Sequence, residues 1–411
     1  MRYQDRDTLL HRLNPLIKLA YSIVISISIV VFKEPYKLAL LAAVVFAIFC
    51  FARVSFGQAR PLFLITGIIV ITTAVSQAVF YYFEPKTVLF TIMPKEFPVI
   101  GRITQGIHIY KEGIAYGLVQ SLRIISVTFV GATIVATTHP SDMIISLNKI
   151  RLPREIGFML MVSIRFLPQL LEETKRILLA VRLRGLKIKG VVNSIKAFRV
   201  VLLPLVINSL RQAKALALAC EVRAFSMERS KTKVKFTTFE FITMAFFIIL
   251  LYVAILPFKM GLSKIPFFNT FFFSIPFTCI LFIGIRLIPK FGTATFLICG
   301  HSLFSQIISR GINPLWWPYA LAESFALEGY FLLTKNYLKT PLAAIFSGAW
   351  RGMVVYLYFY FIAAPFIWHK CYATWYITIQ TFQGVIGSGL GGILGYKISK
   401  MVEGAYKYGG L

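Results

Sequence analysis

Apolar residues along this chain fall into long unbroken runs, not into the alternating or one-faced patterns of a soluble fold. Ten runs come near the roughly 20 residues that an α-helix needs to cross a hydrocarbon core: 15–32, 36–52, 61–81, 114–137, 239–258, 270–288, 292–308, 313–333, 341–367 and 373–398. The pattern predicts an all-α, polytopic membrane protein of about ten transmembrane helices. One stretch, 151–235, does not fit. There 155–171 is mostly apolar yet short for a span and carries Arg165, while 171–184 and 210–223 show helical periodicity interrupted by charge. These segments predict amphipathic helices along the cytoplasmic membrane face, with Gly185 as the stop of one of them.

Composition narrows the class further. Of 411 residues 57% are hydrophobic, and 44 Lys and Arg face 16 Asp and Glu, a net charge of +28. A nucleic-acid binder can be as basic, but 38 Phe and a mean hydropathy of +0.74 make membrane lipids the expected surroundings and exclude nucleic acid as the partner. Basic residues mark the cytoplasmic side of a membrane protein. With Arg2, Arg6 and Arg12 inside, alternation brings Arg53 and Arg60, Arg286 and Lys290, Lys335 and Lys339, and Lys397, Lys400 and Lys407 to the same side. Both termini are therefore expected in the cytoplasm, with the chain in the cell membrane. The 84–112 connection falls on the opposite side and has no assigned role. Residues 151–235 hold 18 Lys and Arg and 5 Glu, a net of +13 and nearly half of the whole excess. Five Cys in or beside apolar runs lack paired spacing and read as packing residues. No small-residue cleavage site follows the first apolar run, which is expected to stay as a membrane helix.

Two words in the basic block echo each other. Leu183-Arg184-Gly185 closes one amphipathic segment and Val222-Arg223-Ala224 closes the other. An Arg at a helix C-terminus complements the helix dipole and still offers donors to a partner's carboxylates or carbonyls. Anionic lipid is the plainer partner. A duplicated Arg word is a reason to expect a duplicated partner. No Gly-x-x-x-x-Gly-Lys-Ser/Thr word occurs, so any ATP must be held by other subunits. Asp occurs only at 5, 7 and 142, and no acid pair forms a metal-binding word within a span, which speaks against a membrane-embedded transferase. The two parts of the chain do not look like repeats, as those of an ion-driven secondary transporter would. These two classes remain the alternatives.

Asp7-Thr-Leu-Leu-His-Arg-Leu-Asn-Pro-Leu-Ile-Lys18, then Thr138-His-Pro-Ser-Asp-Met-Ile-Ile-Ser-Leu-Asn-Lys-Ile-Arg-Leu-Pro153, Arg165-Phe-Leu-Pro168 and the two Arg words follow one another over residues 1–258. In this order they resemble the transmembrane T component of energy-coupling factor transporters. The resemblance implies a helical scaffold over 1–258 with two cytoplasmic coupling helices in the 171–225 region. Each would end in an X-Arg-X motif docked on one of two ABC-type ATPases. Arg184 and Arg223 match the central Arg, while Leu183, Gly185, Val222 and Ala224 flank them and depart in part from the commonest Ala-Arg-Gly form. ATP and Mg would sit on those ATPases, leaving this chain without a cofactor, a metal or a catalytic residue. Residues 259–411, with five further spans, match the size of a substrate-binding S component. A fused T–S chain that serves uptake of a vitamin or related micronutrient is thus expected. Asn313-Pro314 ahead of a Glu-bearing span resembles S components for thiamine or its hydroxymethylpyrimidine precursor.

Candidate ligand residues in the C-terminal portion are His301, Gln306, Asn313, Trp316, Trp317, Glu323, Glu328, Arg351 and Gln380. Ionisable groups inside spans usually face a site or a partner. Glu323 and Glu328 are five residues apart, roughly 140° around a helix, so one can line a site while the other pairs elsewhere. Arg351 is the expected ion partner, in a site or simply to fix helix packing. A planar cationic ring would stack on an indole beside a carboxylate, and Glu328 with Trp316 or Trp317 is the expected cage. Interfacial anchoring is the plainer role for such Trp residues. His301, Gln306, Asn313 and Gln380 would supply orienting hydrogen bonds. Gly384, Gly387, Ser388, Gly391 and Gly395 give the last helix a flat stripe, expected to pack closely or, with Gly348 and Gly352, to slide against the scaffold.

Overall fold

The structure is a computed structural model that describes residues 8–32, 34–54, 56–79, 81, 87–93, 107–149, 154–184, 191–222, 236–260, 269–310, 313–369, 372 and 374–408. In chain order its elements are α1 (Leu9–Arg12), α2 (Pro15–Val31), α3 (Pro35–Phe51), α4 (Phe56–Val79), β1 (Val88–Met93), β2 (Ile107–Tyr110), α5 (Lys111–Thr137), α6 (Pro140–Lys149), α7 (Arg154–Leu183) and α8 (Val191–Val222). Then come α9 (Thr238–Met260), α10 (Asn269–Leu287), α11 (Thr293–Ser305), α12 (Trp317–Thr334), α13 (Pro341–Tyr358) and α14 (Thr374–Tyr408). Short π-helical stretches, Gln306–Arg310 and Phe359–Ile367, extend α11 and α13. Over their described residues all ten apolar runs are mainly helical. Among the described residues six helices are long and apolar enough to cross a membrane: Ala59–Ala78, Lys111–Thr137, Val200–Val222, Thr238–Ile255, Asn269–Leu287 and Pro341–Ile367. Three shorter apolar helices join them. The protein is an all-α, multi-pass membrane protein.

Contacts divide the chain into two compact units, one of Met1–Met143, Gln306–Trp316 and Phe359–Ile377, the other of Ile144–Ser305, Trp317–Tyr358 and Thr378–Leu411. The units interleave along the chain. In the first, α5 is the common partner of α2, α3 and α4. Gly113 and Gly117 let it lie against α4: a Cβ at these positions would stand 2.8 Å from the Gln77 carbonyl oxygen and 2.9 Å from that of Ala74. Phe46, Phe49, Phe63 and Phe129 then lock α3, α4 and α5 edge to face, with centroids as close as 4.9 Å. Asn14 caps α2, its Oδ1 accepting from the Leu16 N–H at 3.1 Å, and Pro15 at the first helical position suits the same start. The 84–112 connection contains an antiparallel hairpin that pairs Val88 with Tyr110 and Thr91 with His108. Glu112 holds its base by accepting from the Thr87 N–H and hydroxyl.

The second unit is built around α9. A helix apolar on every face has no side to give to water and sinks into protein or lipid. Here it sinks into protein: 78% of its span is buried, against 17% for Ala59–Ala78 in α4. Residues 241–253 are buried without interruption, and α7, α8, α10 and α11 all pack on them. A capping box starts the helix, with the Thr237 N–H donating to Glu240 Oε2 at 2.8 Å and the Glu240 N–H donating to Thr237 Oγ1 at 3.3 Å. The basic block differs from expectation. The segments 155–171 and 171–184 are one 30-residue helix, α7, which runs through Pro168. Met159, Leu160, Ser163, Leu167 and Leu170 form its buried face, and Ser163 Oγ reaches the Ala245 carbonyl oxygen of α9 at 3.0 Å. The packing partner, not the amphipathic period, explains why the first half of α7 is mostly apolar.

The glycine stripe of α14 also departs from one of its two expected roles. Cβ atoms at Gly348 and Gly352 of α13 would stand 2.4 Å from the carbonyl oxygens of Ser388 and Gly384, and those at Gly387, Gly391 and Gly395 would stand 2.8, 2.5 and 2.6 Å from carbonyls of α10. The stripe is thus the seam that seats α14 between α10 and α13, and is not a free sliding face. Gly352→Ala should destabilise the protein by about 1–3 kcal/mol through overpacking against backbone. Gly329→Ala, where nothing lies within 4 Å of the new methyl, should be neutral or slightly stabilising. Thermal unfolding of the purified protein in detergent checks both.

Candidate functional site

The end of α7 carries the first Arg word. Leu183 is the last helical residue, and the Arg184 N–H still bonds to the Ala180 carbonyl oxygen at 3.2 Å, so the side chain of Arg184 leaves from the final turn, exposed. At the end of α8 stands Val222. Leu183 is 80% exposed and Val222 87%. Both helices rest on α9 and on each other. Gly185, Arg223 and Ala224 lie outside the described residues.

Glu323 and Arg351, predicted as partners, form a fully buried ion pair inside the second unit. Arg351 Nε donates to Glu323 Oε1 at 2.7 Å and Nη2 approaches the same oxygen at 2.5 Å. Nη1 donates to Thr278 Oγ1 at 2.9 Å and to Ser388 Oγ at 3.2 Å, and the guanidinium lies 4.5 Å over the Phe277 ring. Four helices, α10, α12, α13 and α14, are tied by one side chain whose every nitrogen is engaged. Nearby contacts extend the network: Gln380 accepts from the Thr270 hydroxyl, Tyr356 bonds to Ser274, and the His301 ring packs at 5.4 Å against Phe277. Chemically this arrangement fixes helix positions. A ligand would have to displace one of its bonds to enter.

Glu328, expected beside an indole, does different work. Its Oε1 accepts from the N–H groups of Gly292, Ala294 and Thr295 at 3.0, 2.9 and 3.3 Å, so the carboxylate caps the N-terminus of α11. Trp316 belongs to the first unit, where its ring meets Trp368 at 5.2 Å. Gln306 and Asn313 also belong there. Gln306 Oε1 accepts from the Asn313 N–H at 2.9 Å, and Asn313 Oδ1 accepts from the Leu315 N–H at 3.0 Å, which starts the turn that leads to Trp316. The nine candidate ligand residues are therefore divided: Gln306, Asn313 and Trp316 in one unit, His301, Trp317, Glu323, Glu328, Arg351 and Gln380 in the other.

A polar group that sequence reasoning passed over completes the first unit. Tyr116, Gln120 and Arg123 lie on one face of α5. Tyr116 and Gln120 both donate to the His369 carbonyl oxygen, the His369 ring bonds to the Val30 carbonyl oxygen at 3.0 Å, and Arg123 Nη2 donates to that of Phe32 at 3.0 Å. The available signal was the spacing of three polar residues at i, i+4 and i+7 in a 27-residue apolar helix.

A match to the CbiQ family, described as cobalt transport protein, covers residues 6–234. The energy-coupling factor transporter transmembrane protein EcfT of Staphylococcus aureus is 27% identical over 245 residues, which is 56% of this chain and 85% of the relative. EcfT of Bacillus subtilis is 27% identical over 242 residues, 56% of this chain and 86% of the relative. A shorter match of 137 residues to EcfT of Acidaminococcus fermentans reaches 36% identity, over 31% of this chain and 51% of the relative.

Breaking the buried pair tests its role. Arg351→Met or Glu323→Leu alone should cost about 3–5 kcal/mol, because each leaves an uncompensated buried charge. The double substitution should recover most of that loss. Unfolding in detergent reads all three, and a loss in the double equal to the sum of the two singles would mean the charges are not each other's main partners.

Proposed function

The chain belongs to the CbiQ family and is a membrane subunit, the T component, of an energy-coupling factor transporter; from that premise we propose that it couples two ABC-type ATPases to uptake of a vitamin or related micronutrient. Leu183-Arg184-Gly185 and Val222-Arg223-Ala224 each dock on one ATPase. ATP and Mg are held by those partners, and this chain performs no covalent chemistry. The single observation that carries the reading is the pair of exposed helix ends, Leu183 with Arg184 and Val222, on two long helices that share α9 as a buried backing. Nucleotide-driven closure of the ATPases moves these ends, and α9, buried over residues 241–253, passes the displacement to α10 and α11, which also pack on it.

Residues 259–411 serve in this reading as the substrate-binding S-like portion, in a chain with both termini on the cytoplasmic side of the cell membrane. Among the described residues of that portion, Glu323 is committed to Arg351 and Glu328 to a helix end, so the ligand's polar groups are met by neutral side chains or by exchange of an existing bond. Thiamine and its hydroxymethylpyrimidine precursor are the first ligands to test.

The wild-type chain, co-expressed with the ABC ATPases encoded beside it, should retain both through purification and support ATP hydrolysis. The Arg184→Glu/Arg223→Glu double variant should lose them while eluting as a folded, monodisperse protein. Equal retention by both proteins would make the Arg words a lipid-facing basic surface. Uptake of labelled thiamine, of the pyrimidine and of Co2+ by cells that express the complex then separates the substrate classes.

A further inference from the structure

Two helices that cross through apolar side chains alone can slide past one another in register, and coupling fails if the docking ends do not keep a fixed separation. A polar contact stands where α7 meets α8. Glu173, half-buried on α7, uses both carboxylate oxygens: Asn208 Nδ2 donates to Oε1, and Gln212 Nε2 donates to Oε2 at 3.3 Å. Asn208 and Gln212 are one turn apart, so the carboxylate straddles a single turn of α8. Apolar residues flank the contact on both helices, with Leu170, Leu205 and Ala213 buried. No Lys or Arg lies within ion-pair distance of Glu173 among the described residues, so the acid is matched to this pair of amides and not to a movable cation. Leu183 lies ten residues beyond Glu173, and Val222 lies ten residues beyond Gln212. At 1.5 Å per residue each end lies about 15 Å along its helix from the same contact.

We infer that Glu173 is the register residue of the coupling pair: by gripping Asn208 and Gln212 it sets where α7 crosses α8, and so sets the separation of the two ATPase-docking ends. This rests on the coupling role of those ends. A carboxylate held by two donors one turn apart has one satisfied position, whereas a slip of one residue along α8 leaves a half-buried charge without its donors. Gln212 adds a useful detail. Its Oε1 is buried and unpartnered, so a Gln at 173 can accept from Asn208 and donate to Gln212, preserving both contacts.

The test measures the distance between spin labels on Arg182→Cys and Glu221→Cys, both exposed, in the full-length chain with its five native Cys replaced by Ala. The reference protein should give one narrow distance peak that shifts when ATP is added with the ATPases bound. Glu173→Leu should lose the narrow peak and the ATP-dependent shift, and Glu173→Gln should keep both. If Glu173→Leu does not fold, Asn208→Ala/Gln212→Ala removes the same contacts from the other helix and should give the same loss. A narrow peak that survives either disruption overturns the inference. A peak that broadens as expected, in a chain whose ATPases bind equally well without Arg184 and Arg223, supports the clamp but overturns its link to coupling, which separates the two failures.

Discussion

Helix ends buried away from water must find partners for their backbone groups, and three buried charges meet that demand in this protein. Lys18 of α2 donates to the Thr137 carbonyl oxygen at 2.8 Å and to Thr138 Oγ1 at 3.1 Å, where α5 ends. Arg123 of α5 does the reciprocal service for α2 through the Phe32 carbonyl oxygen. Glu328 caps the opposite polarity, the N–H groups that open α11. Each charge sits where the helix dipole favours it, and each bond to a charged group is worth about 1.5–3 kcal/mol net. The arrangement fixes the lengths at which α2 and α5 stop, so the loops between helices in that unit follow from it.

Energy coupling asks for the opposite of a soft interior. The uninterrupted burial of residues 241–253 gives α7 and α8 a common, close-packed backing, and close-packed interiors transmit displacement instead of absorbing it. Exposure is concentrated where the coupling helices end. Leu183 and Val222 stand out in water or against a partner, while Leu170, Leu205 and Ala213 a few turns back are buried.

Buried charge in the C-terminal part has to be read with its partners. Glu323 and Arg351 look, as isolated letters in an apolar span, like a binding site; surrounded by Thr278, Ser388 and Phe277 they form a closed knot. The same holds for the glycines of α13 and α14, whose flatness is used up by contact with neighbouring backbone. The conspicuous ions of this part are thus taken up by contacts within the fold.

Much of this was written in the residue order. Runs of some twenty apolar residues can only be helices in a membrane, because no other fold of one segment satisfies its own backbone, and Arg184 beside Gly185 at the end of an amphipathic period announces a helix terminus. The T-component identity was legible for the same reason: its motifs are local, each a few residues long. What stayed hidden depends on residues far apart in the chain. Nothing near position 123 says that its guanidinium will cap a helix ninety residues earlier, nor does position 328 disclose three backbone donors at 292–295. The fusion of 155–184 into one helix was equally hidden, since an apolar stretch too short to span looks the same whether it lies on lipid or packs on α9. Only tertiary contact decides which of two surfaces, lipid or protein, an apolar face will meet, because the hydrophobic effect that drives burial does not distinguish between them.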